Sequence, residues 1–92
     1  MAGAGAARLR LLDLGKCAIG DDGARALALS ESMSALECLN VAWNEITDAG
    51  ALAIARSPHF GRIRWVNVRD NPLTETGKSA LRDRFGGAVL AD

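Results

Sequence analysis

One interval constrains this chain more than any other property: its apolar positions reproduce themselves every 27 residues. Set in rows beginning at Leu9, Leu36 and Ile63, the sequence superimposes without a gap. The fourth column holds Leu12, Leu39 and Val66, the sixth Leu14, Val41 and Val68, and the eleventh Ile19, Ile46 and Leu73. Further along come Gly23, Gly50 and Gly77 in column fifteen, Ala26, Ala53 and Ala80 in column eighteen, and Leu27, Ile54 and Leu81 in column nineteen. Each row changes period midway. Columns four and six flank a polar residue at column five, the two-residue alternation of a strand with one buried face. Columns fifteen, eighteen and nineteen follow the i, i+3, i+4 spacing of an amphipathic helix, and Asp21-Asp22 and Thr47-Asp48 offer oxygen acceptors just ahead of it. A helix of about ten residues with one narrow apolar stripe is not stable alone, so units must stack strand on strand and helix on helix. The expected fold is α/β: a right-handed solenoid of three strand-loop-helix units, 9–35, 36–62 and 63–85, with a short parallel sheet on its concave face. Residues 86–92 are expected to cap it, with a short fourth strand at Ala88-Val89-Leu90, because Leu90 falls one interval beyond Ile63. Residues 1–8, rich in Gly and Ala, read as a flexible amino-terminal tail.

Polar columns say how neighbouring units meet. Column nine carries Cys17, Asn44 and Asn71. At an inward-facing turn an Asn amide can satisfy backbone groups of the adjacent loop, and a small Cys can replace it in a terminal unit. The glycine column predicts a close approach of helix and strand layers at the first helical turn, since Gly otherwise costs about 1 kcal/mol in a helix. Asp21, Asp48 and Glu75 stand where the helix dipole favours a carboxylate. Column two, Arg10, Glu37 and Arg64, alternates in charge and predicts cross-strand ion pairs.

The stretch Leu36-Glu37-Cys38-Leu39-Asn40-Val41-Ala42-Trp43-Asn44-Glu45-Ile46 resembles the leucine-rich-repeat pattern L-x-x-L-x-L-x-x-N/C-x-L. The helical half, Thr47 to Ala55, resembles the ribonuclease-inhibitor-like class of that family, and Asn71-Pro72-Leu73-Thr74 through Gly86 looks like the last repeat of its bacterial members. The resemblance implies a curved scaffold for protein–protein contact with no chemistry of its own. Three repeats are few for this family, and no capping element precedes Leu9. The chain is therefore expected either to be the carboxy-terminal piece of a longer array or to have its first unit covered by another subunit.

The remaining features narrow the function by exclusion. Eleven Lys and Arg balance eleven Asp and Glu, which removes the usual electrostatic argument for nucleic acid or an anionic membrane. Neither a signal peptide nor a run of about 18 apolar residues is present, and Cys17 and Cys38 form no CxxC pair, so a cytoplasmic protein is expected. The single histidine, His59, follows Pro58 in a connecting loop and is expected to face solvent; no nucleophile motif, dinucleotide fingerprint or phosphate loop accompanies it. No enzyme activity, cofactor or metal is expected.

If columns four and six point inward, columns three, five and seven form a grid on the outer sheet face: Leu11, Cys38 and Trp65; Asp13, Asn40 and Asn67; Gly15, Ala42 and Arg69. At about 4.8 Å between strands, that face is only about 10 Å wide and suits a peptide or a helix edge. Trp65, Arg69, Asn40, Asn67 and Asp13 are the expected partner contacts, because Trp and Arg are enriched at interface hot spots. The alternative is that Trp65 covers the end of the sheet or packs under the carboxy-terminal segment. Trp43, in column eight where the strand turns away, either joins that surface or is buried against its loop. A second reading is an assembly segment that docks through its uncapped first unit on another repeat array or on a second copy of itself.

Overall fold

In the computed structural model, which describes residues 9–92, three short strands alternate with three helices and a fourth strand closes the chain. The elements are β1 (Leu11–Asp13), α1 (Gly20–Ala28), β2 (Cys38–Asn40), α2 (Asp48–Ala55), β3 (Trp65–Asn67), α3 (Glu75–Phe85) and β4 (Val89–Leu90). The expected amino-terminal tail lies outside the described residues. All four strands are parallel and pair in chain order. Leu11 pairs with Cys38 and Cys38 with Trp65, so partners in the first three strands stand 27 positions apart. The last pairing departs from that interval. Val66 pairs with Val89 and Asn67 with Leu90, because α3 ends at Phe85 and a single 3-10 turn, Gly86–Ala88, returns the chain four residues early.

Alternation along each strand divides the sheet. The middle residues Leu39 and Val66 are fully buried, while their neighbours on either side are half-buried. The core lies between sheet and helices and is built from Leu36, Leu39, Val41, Ile46, Ile54, Phe60, Val66 and Leu81. Met33 and Phe60, in the turns between helix and strand, plug the bottom of that layer. The first unit is looser: Leu12, Leu14, Ile19 and Leu27 pack on the core but stay half-buried, having neighbours on one side only.

Three hydrogen-bond ladders tie the units together. In the loops after the strands, the buried Asn44 accepts from the backbone N–H of Cys17 (2.9 Å) and Ile19 (3.1 Å) through Oδ1 and donates through Nδ2 to the carbonyls of Leu14 (2.7 Å) and Ala42 (3.1 Å). Asn71 repeats this one unit on, accepting from Asn44 and Ile46 and donating to Val41. At the helix starts, Asp21 accepts from the Thr47 N–H (2.8 Å), the Thr47 hydroxyl (2.6 Å) and the Gly50 N–H (3.0 Å). Asp48 does the same for Thr74, through both its N–H and its hydroxyl. At the helix ends, the Ser57 hydroxyl donates to the Ala28 carbonyl and Arg84, one interval on, donates to the Ala55 carbonyl at 2.8 Å.

Two expectations are corrected by these ladders. Asp21 and Asp48 lie inside their own helices and serve the start of the next one, whose donors would otherwise be unpaired. At Gly50 and Gly77 the glycine column makes room between helices as well as above the loop: a Cβ on Gly50 would stand 2.5 Å from Asp21 Oδ1, 2.8 Å from an Ile46 methyl and 3.1 Å from the Ala24 Cβ, one on Gly77 would meet Asp48, and one on Gly23 would meet Ile19 of its own unit. The hydroxyl of Thr47 holds the Asp21 carboxyl below its ordinary range, and Thr74 does so for Asp48, each reinforced by backbone N–H groups.

Candidate functional site

The sheet face turned away from the helices carries the odd columns. Leu11, Cys38 and Trp65 form one row in register across β1, β2 and β3, and Asp13, Asn40 and Asn67 form the next. Leu11 is exposed, while Cys38 and Trp65 are half-buried.

The second row has an internal duty. Asp13 Oδ1 accepts from the Gly15 N–H at 2.9 Å, Asn40 Oδ1 from Ala42 at 3.0 Å and Asn67 Oδ1 from Arg69 at 3.0 Å. Each side chain bends the chain out of its strand by bonding two residues ahead. The Asn amides keep their NH2 donors for other contacts. In column seven the members separate, since Ala42 is buried and Arg69 is exposed.

Column eight is where the structure adds most. Lys16, Trp43 and Asp70 all take a left-handed backbone with φ of 59°. For a bulky residue that conformation costs about 1–2 kcal/mol. Trp43 is held in it by its own N–H donating to the Arg69 carbonyl (3.1 Å) and by the Asn44 ladder that follows. The residue is 56% exposed, so it is not buried against its loop. Lys16 Nζ lies 5.9 Å from the ring centroid, a cation–π pair worth about 0.5–1 kcal/mol at an exposed position. Lys16 escaped the sequence reading, although it shares a column with Trp43. Trp43 and Arg69 thus sit past the strand ends, bonded through their backbones, and the Asp13-Asn40-Asn67 row lies before them.

The margins of the face are polar. Glu37 stands between Arg10 (3.8 Å) and Arg64 (3.6 Å), as column two implied. At the far side the Asp70 N–H donates to Asp92 Oδ2 and Lys78 to the Asp92 carbonyl, fastening the end of the chain beside β4. His59 is half-buried, with its backbone N–H donating to Ser57 Oγ at 3.1 Å. Among the described residues no group of three or more His, Cys, Asp or Glu side chains could hold a metal ion, and no helix is long and apolar enough to cross a membrane.

No curated protein matches the chain. A family model described as Leucine Rich repeat matches residues 9–28 and 33–55, the first span enclosing β1 and α1 and the second β2 and α2. Together with the parallel strands and alternating helices, those matches support a leucine-rich-repeat protein.

Proposed function

We propose that this protein is a non-catalytic interaction module that takes a protein segment or peptide on the outer sheet face, through Trp65, Arg69, Asn40, Asn67, Asp13 and Trp43. Leucine-rich-repeat domains generally mediate protein–protein contact and are typically not enzymes. The observation that carries the reading is Trp43: a large aromatic residue left 56% exposed on a left-handed backbone is costly for folding and unrewarded by the core. Beside it the face offers a guanidinium, amide donors and the half-buried Trp65, the residue types that anchor interfaces. The wider reading is a cytoplasmic, bacterial-type solenoid of the ribonuclease-inhibitor-like class, domain bounds 9–92. Its right-handed sense is supported by the preference of parallel crossovers for that hand in about 98% of cases.

The chain has two Trp and no Tyr, so its fluorescence reports on this face alone. Peptides selected from a displayed random library should shift the emission of the wild type. Trp65→Ala combined with Arg69→Ala should abolish their binding while leaving the melting temperature within a few degrees. Selected peptides that still bind the double variant would refute the assignment of the face.

A second reading, docking through the first unit onto another repeat array or a second copy, draws support from one observation. β1 is the terminal strand of the sheet, and Leu11 on it and Leu9 just before it are exposed. It predicts a melting temperature and solution mass that rise with concentration, measured by calorimetry and light scattering. A monomer at every concentration, with a constant melting temperature, removes self-docking.

A further inference from the structure

On the opposite side of the molecule, the carboxy-terminal ends of α1 and α2 enclose a cleft of about 260 Å³. Ala28 and Ala53 form part of its lining, Leu29 and Pro58 add apolar surface, and Arg25 and Arg56 contribute the charge. No carboxylate lines it. The Ala28 carbonyl accepts from the Ser57 hydroxyl. The cleft is therefore mostly apolar, with two arginines in its lining.

Leu29 is the feature that folding does not account for. It is 76% exposed, more than any other large apolar residue described, and it takes no part in the core. Its column continues as Arg56 and Asp83, so the two later helices place a charge where the first places a leucine. The arginines have a partial explanation in their own helices. Arg25 pairs with Asp22 at 2.8 Å, and a cation at a helix end is favoured by the dipole. That leaves Arg56, which makes no ion pair among the described residues, and it leaves Leu29.

Size and charge together select an occupant. Small-molecule sites start at about 300 Å³ and bring convergent polar groups, which this cleft lacks. One large aliphatic or aromatic side chain fits within such a volume, and a carboxylate one helical turn away, about 5–6 Å between Cβ atoms, can approach Arg56. We propose that the α1–α2 cleft is a docking site for an acidic amphipathic helix of a partner protein, which inserts one large apolar side chain beside Leu29 and pairs a carboxylate with Arg56. This surface is separate from the sheet face, and its test does not depend on that reading.

The experiment uses the full chain, 15N-labelled, titrated with a synthetic helical peptide of about 14 residues that carries a leucine stripe flanked by glutamates. A control peptide has lysines in place of the glutamates. The glutamate peptide should shift the amide signals of Ala28, Leu29, Ala53 and Ser57 and bind about tenfold or more tightly than the lysine peptide. Leu29→Asp should abolish binding, and Arg56→Glu should weaken the glutamate peptide while strengthening the lysine peptide, a reversal that a folding defect does not produce. Equal binding of both peptides, shifts confined to the sheet face, or no shifts at all would overturn the proposal. So would shifts of the same four signals on raising the concentration of the chain alone, since a second copy would then be the occupant.

Discussion

The loops after the strands and the starts of the helices solve one problem in two ways. At both places a side chain of one unit must satisfy backbone groups of its neighbour. Asn44 does it inside the molecule, fully buried, and Asp21 and Asp48 do it in half-exposed positions at the surface. Asn44 serves two N–H donors and two carbonyl acceptors at once, which requires a neutral group that both accepts and donates. The helix starts present only donors, so a carboxylate suffices, and water keeps the cost of its charge low. A dry joint takes an amide and a wet joint takes an acid.

The sharpest way to break this comparison is at Asn44. Asn44→Ala would leave the Cys17 and Ile19 N–H groups and the Leu14 carbonyl without this partner, while the Ala42 carbonyl keeps the Lys16 N–H, and should cost about 3 kcal/mol, lowering the melting temperature by about 15 °C. A loss no larger than that of Thr47→Ala would show that the buried joint has no special status. Gly50→Ala comes next. The Cβ would meet the Asp21 carboxylate and the Ile46 methyl at 2.5 and 2.8 Å, so a net loss of about 1–2 kcal/mol is expected despite the better helix propensity of alanine. Denaturant titration reads both.

Thr47→Ala removes the helix cap together with the hydroxyl that donates to Asp21, and should cost about 1 kcal/mol. The same joint should respond to acid, whereas the amide joint should not. Because the Asp21 and Asp48 carboxyls are held below their ordinary range in the folded state, their contribution is complete above about pH 4, where the unfolded carboxyl is ionised, and is lost as pH falls through the folded values. Melting curves from pH 6 downward should therefore fall less steeply in a variant combining Asp21→Asn and Asp48→Asn than in the wild type. The smallest effect belongs to Glu37→Gln. It removes two exposed ion pairs of 3.6 and 3.8 Å and should change stability by less than about 1 kcal/mol, the change shrinking further in high salt.

Much of the architecture was legible because each column repeats a physical requirement. Leu39 and Val66 had to be inward, Asn44 and Asn71 had to serve adjacent loops, and Glu37 had to meet Arg10 and Arg64, since like columns become neighbours once strands pair in parallel. The Asp21–Thr47 joint was less legible. Its members sit 26 positions apart in different columns, and local helix rules explain the aspartate without reference to another helix. The candidate site was legible as a set of columns and illegible in exposure. Column number says that Ala42 and Arg69 are equivalent, yet one is buried and the other is not.

Sequence alone determined the period, the order of strand and helix, and which face of each element is apolar, because those follow from spacing along a single chain. Tertiary structure decided the rest. Which atoms cap a neighbouring helix, how far β4 slips from the common interval, and whether Trp43 points into its loop or into solvent depend on distances between units, and no column in a linear sequence encodes a distance across a stack.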